Sequence, residues 1–408
     1  MKIKFKDAVQ IISGGTPKTS IPEYWNGDIG WLSVVDFGNK NKYVETTEKT
    51  ITQKGLENSS TKLLATNDII LSARGTVGAM AMLKCPLAFN QSCFGLRTNT
   101  DLLDQDYLFY YLKNYMKMLK VKKQGSVFDT INLSTFDLID LDLPTVENQE
   151  KVANLLSDID NKIELNNDTI SELDSLAKTI YDYWFLQFEF PNEEGKPYKS
   201  SGGKMVWNEE LKREIPEGWE VGNLYDIAEF INGLACQKYR PIDEVHKLPV
   251  IKIGEMHNGI RTETEWARDD VPEKNKIDNG DILFSWSATL ETMIWNMGKG
   301  VLNQHIFKVI PKKYNRYYVY QQLSAYIINF IKMAETRKTT MGHITTDHLK
   351  QSRIPLPPNE ISDKYESTVN SFFEKYLQCS KENQELTSLR DFLLPMLMNG
   401  QVTFKEKL

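Results

Sequence analysis

Residues 7–14 read DAVQIISG and residues 226–233 read DIAEFING, so an aspartate, an apolar run and a glycine recur 219 positions further along the chain. Other matches recur at a constant offset of 213: NDIILS at 67–72 with GDILFS at 280–285, FNQ at 89–91 with LNQ at 302–304, and ELDSL at 172–176 with ELTSL at 385–389. Chance rarely produces several matches at the same offset over more than a hundred residues. The repeat therefore predicts a tandem duplication.

Each copy begins with short apolar runs separated by glycine- and asparagine-rich turns, and ends in a long helical segment. Proline disfavours a helical conformation in the preceding residue, so Pro144 and Pro357-Pro358 place the helix starts. We predict an α+β chain with two globular domains alternating with two long helices. The predicted boundaries are 1–144 for the first globular domain, 145–190 for the first helix, 191–218 for a linker, 219–357 for the second globular domain and 358–408 for the second helix.

Both helical segments carry an apolar heptad seam with a polar residue near its centre. At ~39 residues each helix would be about 60 Å long, far beyond the usual length, so we expect the two helices to pair as an antiparallel coiled coil with internal pseudo-two-fold symmetry. The residues predicted for this coiled coil or for binding a partner are Leu156, Ile159, Ile163, Asn166, Ile170, Leu173, Phe372, Tyr376, Asn383 and Leu386.

Composition sets the class of protein. The 408 residues are 41% hydrophobic and 25% charged, with a net charge of −6, which is ordinary for a globular protein. Residues 1–144 carry 17 basic and 15 acidic side chains, whereas residues 145–190 carry 3 and 10, so most of the acidity lies in the first helix. The four cysteines form no CxxC pair, no apolar run could span a bilayer, and the N-terminus lacks a signal-peptide core. We expect a cytoplasmic protein that binds no membrane.

Known catalytic signatures are missing from the sequence. It contains no P-loop, GxGxxG, GxSxG or HExxH motif. His343 and His348 could hold a metal only with ligands from elsewhere, and a polar turn is the favoured interpretation. We therefore predict no catalytic residue and no metal site.

Polar turns instead recur in equivalent places of the two globular domains. Backbone N–H groups and lysines of such turns suit phosphate, while amide and guanidinium groups can read adenine and guanine. Tight turns also need glycine and asparagine for purely steric reasons. The candidate DNA-binding residues are Gly14, Gly15, Thr16, Lys18, Arg74, Thr76, Asn90 and Gln91 in the first domain, and Gln237, Lys238, Arg240, Ser287, Gln304 and His305 in the second.

Several of these motifs, taken in order, resemble those of the specificity subunits of type I restriction–modification systems. The resemblance covers essentially the whole chain and is carried by GGTP at 14–17 with Tyr24-Trp25 and Trp31, RGTVG at 74–78, Asn90-Gln91, Leu143-Pro144 with Asn148-Gln149, IPEGW at 215–219 and LLPMLMNG at 393–400. The second domain departs from the pattern, with Leu234-Ala235 in place of the Gly-Thr-Pro turn and Ser287 where the first domain has Arg74.

The resemblance implies two target-recognition domains that bind a double-stranded DNA target of two unlike half-sites separated by an unread gap. It also implies partners: two adenine-N6 methyltransferase subunits, and restriction subunits that combine a motor with an ATP-dependent endonuclease. S-adenosylmethionine, ATP and magnesium would belong to those partners, and this subunit would bind no cofactor and have no activity alone. Two alternatives stay open from the residues themselves, a stand-alone DNA-binding regulator and a purely protein-binding scaffold.

Overall fold

The computed structural model describes residues 1–38, 41–122, 130–261, 263–287, 289–336 and 344–404, and at 119–122 and 334–336 the backbone alone. Two compact units are present. The first unit comprises Met1–Glu164 and Glu385–Leu408, and the second comprises Leu165–Gln384. Each unit therefore combines a globular part with portions of two long helices.

The globular part of the first unit is mixed α and β. Its strands are β1 (Lys2–Lys4), β2 (Val9–Ser13), β3 (Trp25–Leu32), β4 (Tyr43–Val44), β5 (Lys49–Ile51), β6 (Leu63–Leu64), β7 (Ile69–Ser72), β8 (Met80–Leu83), β9 (Leu87–Phe89), β10 (Cys93–Thr98) and β11 (Asp140–Asp142). Its helices are α1 (Phe5–Ala8), α2 (Val34–Phe37), α3 (Gln53–Glu57), α4 (Gln105–Lys122) and α5 (Leu133–Asp137). Helix α6 (Val146–Tyr181) follows, and a π-helical turn over Asp182–Leu186 ends it.

The described residues of the second unit form strands and helices in similar proportion to the first unit. The strands are β12 (Met205–Asn208), β13 (Arg213–Pro216), β14 (Glu220–Gly222), β15 (Ala228–Asn232), β16 (Lys247–Ile251), β17 (Trp266–Arg268), β18 (Lys276–Ile277), β19 (Ile282–Ser285), β20 (Glu291–Ile294), β21 (Gly300–Leu302), β22 (Ile306–Pro311) and β23 (Ile354–Leu356). The helices are α7 (Leu224–Ile227), α8 (Ile253–Asn258), α9 (Arg316–Thr336), α10 (Thr346–Gln351) and α11 (Asn359–Met398), whose last turns belong to the first unit. Strands β12 and β13 form a hairpin within the segment predicted as a linker.

The sheets of the two units have the same strand order. The large sheet of the first unit has one additional edge strand, β4. The first unit contains sheets β2-β10-β7-β8-β4, β5-β3-β9-β6 and β1-β11, and the second contains β15-β22-β19-β20, β17-β16-β21-β18 and β14-β23. All four residues of β7 and all four of β19 are buried, which accounts for their continuous apolar sequences. The predicted α+β class of the globular parts is confirmed.

An acidic residue just before β7 and β19 is paired in both units. Asp68 accepts two hydrogen bonds from Arg97, at 2.8 and 2.5 Å, and Asp281 lies 2.9 Å from the Lys308 ammonium. These aspartates match each other at the offset of 213. The pairing explains why the repeated Asp is retained next to an apolar strand, since a carboxylate with little exposure needs a partner.

The long helices begin where the prolines predict, α6 two residues after Pro144 and α11 directly after Pro358. None of the ten seam residues predicted from the heptads is exposed. In the second unit, Asn166 Nδ2 donates to Asn383 Oδ1 at 3.0 Å, so the two polar seam residues contact each other. In the first unit, Asp160 accepts a 2.6 Å hydrogen bond from Arg390.

Candidate nucleic-acid interface

Three polar turns meet at one edge of the large sheet of the first unit. Ser13 at the end of β2 lies opposite Phe94, and Ser72 at the end of β7 lies opposite Cys93 at the start of β10. The chain segments that extend beyond these strand ends therefore lie side by side. We call this set of turns, residues 14–18, 74–78 and 90–92, the first polar edge.

Close backbone packing requires the glycines of the first polar edge. A Cβ atom on Gly14 would lie 2.1 Å from the carbonyl oxygen of Asn90, a separation that no side chain tolerates. The Gly15 N–H donates to the Phe89 carbonyl at 3.0 Å, and the Trp31 indole donates to the Gly15 carbonyl at 3.1 Å. Both glycines therefore hold the turn against the strand.

Thr16 and Gln91 are brought together by this packing, and the Thr16 hydroxyl donates to Gln91 Oε1. Gln91 is exposed, so its amide nitrogen faces solvent. Asn90 is only partly exposed, and its side-chain oxygen accepts the Ser92 N–H at 3.0 Å. Of these two neighbouring amides, Gln91 is thus the one available to a ligand.

The turn after β7 projects its polar residues outward. Arg74, Gly75 and Thr76 are all exposed, and Gly75 has a φ of +76°, a conformation that favours glycine. Ser72 Oγ donates to the Arg74 carbonyl at 2.8 Å and fixes the start of the turn. Among the described residues, no hydrogen bond or ion pair engages the Arg74 guanidinium, and Lys18 is likewise exposed. The first polar edge thus offers two cations and an amide.

The second unit has an equivalent edge, because Asn232 lies opposite Phe307 and Ser285 lies opposite Ile306. We call residues 233–240, 286–287 and 303–305 the second polar edge. A Cβ atom on Gly233 would lie 2.1 Å from the Asn303 carbonyl oxygen, which repeats the relation of Gly14 to Asn90.

The loop after β15 presents the polar residues Gln237, Lys238 and Arg240, all of which are exposed. Gln237 and Lys238 lie in a single 3-10 turn that begins at the buried Cys236. The carbonyl of Tyr239 accepts the Arg268 N–H at 2.9 Å, which anchors the middle of the loop. The predicted residues of this loop therefore stand together on an ordered support.

Ser287 was expected at the surface as a DNA contact, but it is buried, with 7% exposure. Its hydroxyl lies 3.5 Å from His305 Nδ1, and Gln304 Nε2 lies 3.4 Å from His305 Nε2. The Trp286 ring packs on His305 with centroids 5.5 Å apart. This arrangement makes Ser287 a support for His305, whereas Gln304, His305 and Trp286 are partly exposed.

Sequence reasoning did not select Trp286 or Glu291. Trp286 donates from its indole to Asn232 Oδ1 at 3.2 Å, which ties the β15 and β19 ends of the second polar edge together. An aromatic residue between two serines after a buried strand is a signal that could have identified it. Glu291 begins β20 opposite Ser285, and only the strand register reveals that position.

The ten candidate residues on the long helices are all buried or partly buried. Leu156, Ile159 and Asn166 are buried, and the other members of the predicted set are partly buried: Ile163, Ile170, Leu173, Phe372, Tyr376, Asn383 and Leu386. Phe372 and Tyr376 pack on the aromatic core of the second unit. Exposed apolar side chains that the heptads did not select include Leu165 and Leu176 on α6 and Leu389 and Phe392 on α11.

A buried charge cluster lies where α4, α6 and α11 meet in the first unit. Asp160 accepts hydrogen bonds from Arg390 at 2.6 Å and from the Tyr110 hydroxyl at 2.7 Å, and the Lys113 ammonium lies 3.9 Å away. Burial alone would raise the pKa of Asp160, but the charges of Lys113 and Arg390 and these hydrogen bonds outweigh it and lower the pKa. Asp160 is therefore held as a carboxylate.

The described part of the chain contains no group of three or more His, Cys, Asp or Glu side chains placed to hold a metal ion. None of its helices is long and apolar enough to cross a bilayer. His343, one of the two histidines considered above, lies outside the described residues.

Comparisons with known proteins agree with one another. The family model for the type I restriction modification DNA specificity domain matches residues 1–175 and 216–387. The MjaIX specificity subunit of a type I restriction enzyme from Methanocaldococcus jannaschii is 29% identical over 99% of this chain and 93% of its own length. The HindI specificity subunit from Haemophilus influenzae is 24% identical over 75% of this chain and 79% of its own.

A similar fold occurs in a solved structure, the type I restriction–modification S subunit from M. genitalium. It superposes with a TM-score of 0.54 at 16% identity, and the match covers 100% of this chain and 96% of that one. At this identity the likeness concerns the fold.

Proposed function

Since the chain belongs to the type I restriction modification DNA specificity family, we propose that it recognises a bipartite DNA target and directs partner methyltransferase and restriction subunits to that target. The observation that carries the proposal is the presence of two units with one strand order and equivalent polar edges that bear different side chains. Because the same fold occurs twice with different exposed side chains, the two units are suited to bind two unlike half-sites.

The side chains of both edges match the chemistry of DNA. Exposed lysines at 18 and 238 suit phosphate, and phosphate contacts position a protein without specifying sequence. Arg74 has the bidentate donor geometry that fits guanine O6 and N7, and Gln91 and Gln304 have the amide geometry that fits adenine N6 and N7. In this proposal, the buried Ser287 acts by orienting His305.

We assign the long helices to the spacing of the two readers and to partner binding. Within the second unit Asn166 contacts Asn383 and the Tyr181 ring packs on Tyr365, so the α11 residue number falls as the α6 number rises. This antiparallel direction in the second unit supports a coiled coil of the two helices. A polar residue in such a seam fixes register at some cost in stability.

Two pseudo-symmetric surfaces suit two copies of one partner, which we take to be the adenine-N6 methyltransferase subunit. Restriction subunits with motor and endonuclease activity would join that complex. S-adenosylmethionine, ATP and magnesium would be bound by those partners, and this chain would contribute no catalytic group. Native mass measurement of the co-expressed complex should therefore give two methyltransferase copies per chain; an active one-to-one complex would contradict the pseudo-symmetric arrangement.

Selection from random-sequence duplexes tests the proposal, with the chain alone and with its methyltransferase partner. We expect the complex to enrich two short unlike sequences at one fixed spacing. A stand-alone regulator would enrich its site equally well without the partner, and a protein-binding scaffold would enrich none. Either of those outcomes would refute the proposed function.

A further inference from the structure

We propose that Glu291 reads a base in the second half-site, its carboxylate accepting a hydrogen bond from the N4 amino group of a cytosine in the major groove. The inference rests on the proposed function, because it takes the second polar edge to face DNA. It adds a specificity-determining residue and the chemistry of the base pair that the residue selects.

The sheet register brings Glu291 to the second polar edge. It is the first residue of β20 and lies opposite Ser285, the last residue of β19. The next residue after Ser285 is Trp286, which packs on His305. Glu291 therefore stands one strand further along the same edge that carries the other candidate contacts of this unit.

The alternation of side chains along β20 sets the direction of Glu291. Ile294 belongs to the core beside Phe284, whereas Met293 packs with the cluster on the opposite face that includes Leu283. Glu291 shares the face of Met293 because the two are separated by one residue. Its side chain thus lies beside helix α8, at the solvent end of that face.

His257, near the end of α8, supports one oxygen of this carboxylate. His257 Nε2 lies 3.4 Å from Glu291 Oε2. The Glu291 side chain is 26% exposed, and among the described residues no hydrogen bond engages Oε1. One oxygen is therefore positioned by the protein while the other is free to accept a hydrogen bond from a ligand.

A carboxylate is unfavourable at this position, because burial raises the pKa of Glu291 and disfavours its charged form. Bound DNA would add repulsion from the phosphates. The base edges are different, because the major groove presents the N4 amino group of cytosine, for which glutamate is a suitable acceptor. Lys238 and Arg240, on the loop after β15 at the other side of the same sheet, suit the phosphates.

The first unit has no carboxylate at the equivalent position. There the Ser72 N–H donates to the Ala79 carbonyl at 2.8 Å, so Ala79 stands opposite Ser72 as Glu291 stands opposite Ser285. The first unit instead carries Arg74 in the preceding turn. The second reader thus has an acceptor that suits cytosine where the first has an alanine, which is a physical basis for unlike half-sites.

The test is to map methylated adenines across a genome in cells that express the chain with its methyltransferase partner, comparing wild type with E291Q. The substituted glutamine side chain keeps the shape of glutamate but replaces one acceptor oxygen with an amide donor, so it can also pair with bases other than cytosine. We expect one C·G position of one half-site to relax, with methylation of sites carrying another base there rising about tenfold relative to wild type. The other half-site and the gap should be unchanged.

A matched control is E229Q, because Glu229 is an exposed carboxylate near the opposite end of the same sheet. Its methylated sites should equal those of wild type. H257Q, which weakens the support of Glu291, should relax the same position by a smaller factor and leave every other position intact. That position-specific effect distinguishes positioning from a general loss of folding.

Three results would overturn the assignment: an E291Q motif identical to wild type, relaxation at a position other than a C·G pair, or an equal loss of methylation at all sites. In each of these cases a wild-type bipartite motif would leave the proposed function standing. A wild-type chain that directs no sequence-specific methylation would refute the proposed function itself.

Discussion

Replacing Asp160 with asparagine should destabilise the first unit by about 3–5 kcal/mol, the usual cost of removing one partner from a buried ion pair. The Asp160 and Arg390 side chains are 6% and 15% exposed, and their charged atoms are 2.6 Å apart. Asparagine keeps the volume and the hydrogen bond from Tyr110 but removes the buried carboxylate, so the guanidinium is left with its contact to the half-exposed Asp391. The loss of stability therefore reports the removal of the charge, because the substitution creates no cavity.

Scanning calorimetry of the full chain gives the measurement. The first unit comprises Met1–Glu164 and Glu385–Leu408, and for a unit of this size 1 kcal/mol corresponds to roughly 2–4 °C in Tm. The transition of this unit should fall by roughly 10 °C in D160N. D391N is the matched control, because Asp391 contacts the same Arg390 at 3.1 Å but is 48% exposed. An exposed pair contributes at most about 1 kcal/mol, so its shift should be small.

Acidification gives an independent check on the same group. A carboxyl whose pKa is lowered on folding stabilises the folded state above its unfolded pKa of about 3.9, and that stabilisation is lost as the pH falls through the folded pKa. The Tm difference between wild type and D160N should therefore be largest near neutral pH and shrink below about pH 4. Equal Tm losses for D160N and D391N, or a difference that does not change with pH, would refute this account of the cluster.

Three further predictions concern DNA binding. Replacing Lys18 or Lys238 with alanine should weaken the binding of all sequences alike and reduce the log–log salt slope by about 1, as seen in titrations at several salt concentrations; an unchanged slope for both would place these turns away from DNA. Replacing Arg74 with alanine should cost about 1–3 kcal/mol at one position of one half-site in competition binding, and a uniform loss over all positions would contradict base reading. Inserting one heptad after Asn166 and one before Asn383 should lengthen the helix pair by about 10 Å and the preferred gap by about three base pairs; an unchanged gap in the methylated sites would mean that the helices do not set it.

The features of the fold that could be predicted from sequence are those set by neighbouring residues in the chain. The prolines before α6 and α11 fixed the helix starts, because proline restricts the residue before it. The heptads identified buried and partly buried positions on both helices, and they singled out Asn166 and Asn383, which contact each other. The offset of 213 anticipated that β7 and β19 occupy the same place in two sheets with a shared strand order.

Properties that depend on pairing between distant strands were not predictable in this way. Ser287 has a sequence context like that of Arg74, yet it is buried under His305, since the path of the turn decides exposure. Glu291 reaches the second polar edge only through its register with Ser285. The hairpin of β12 and β13 lies in a segment whose turn-forming residues predicted a linker, because such residues are equally common in tight turns between strands.

Genome-wide mapping of methylated adenines tests whether one chain reads two unlike half-sites. The map should be made in cells that carry the methyltransferase partner, with and without this chain. We predict that methylation requires the chain and falls in a single motif of two unlike short sequences separated by a fixed unread gap. Methylation that is independent of the chain, or a contiguous motif, would refute bipartite recognition by this chain.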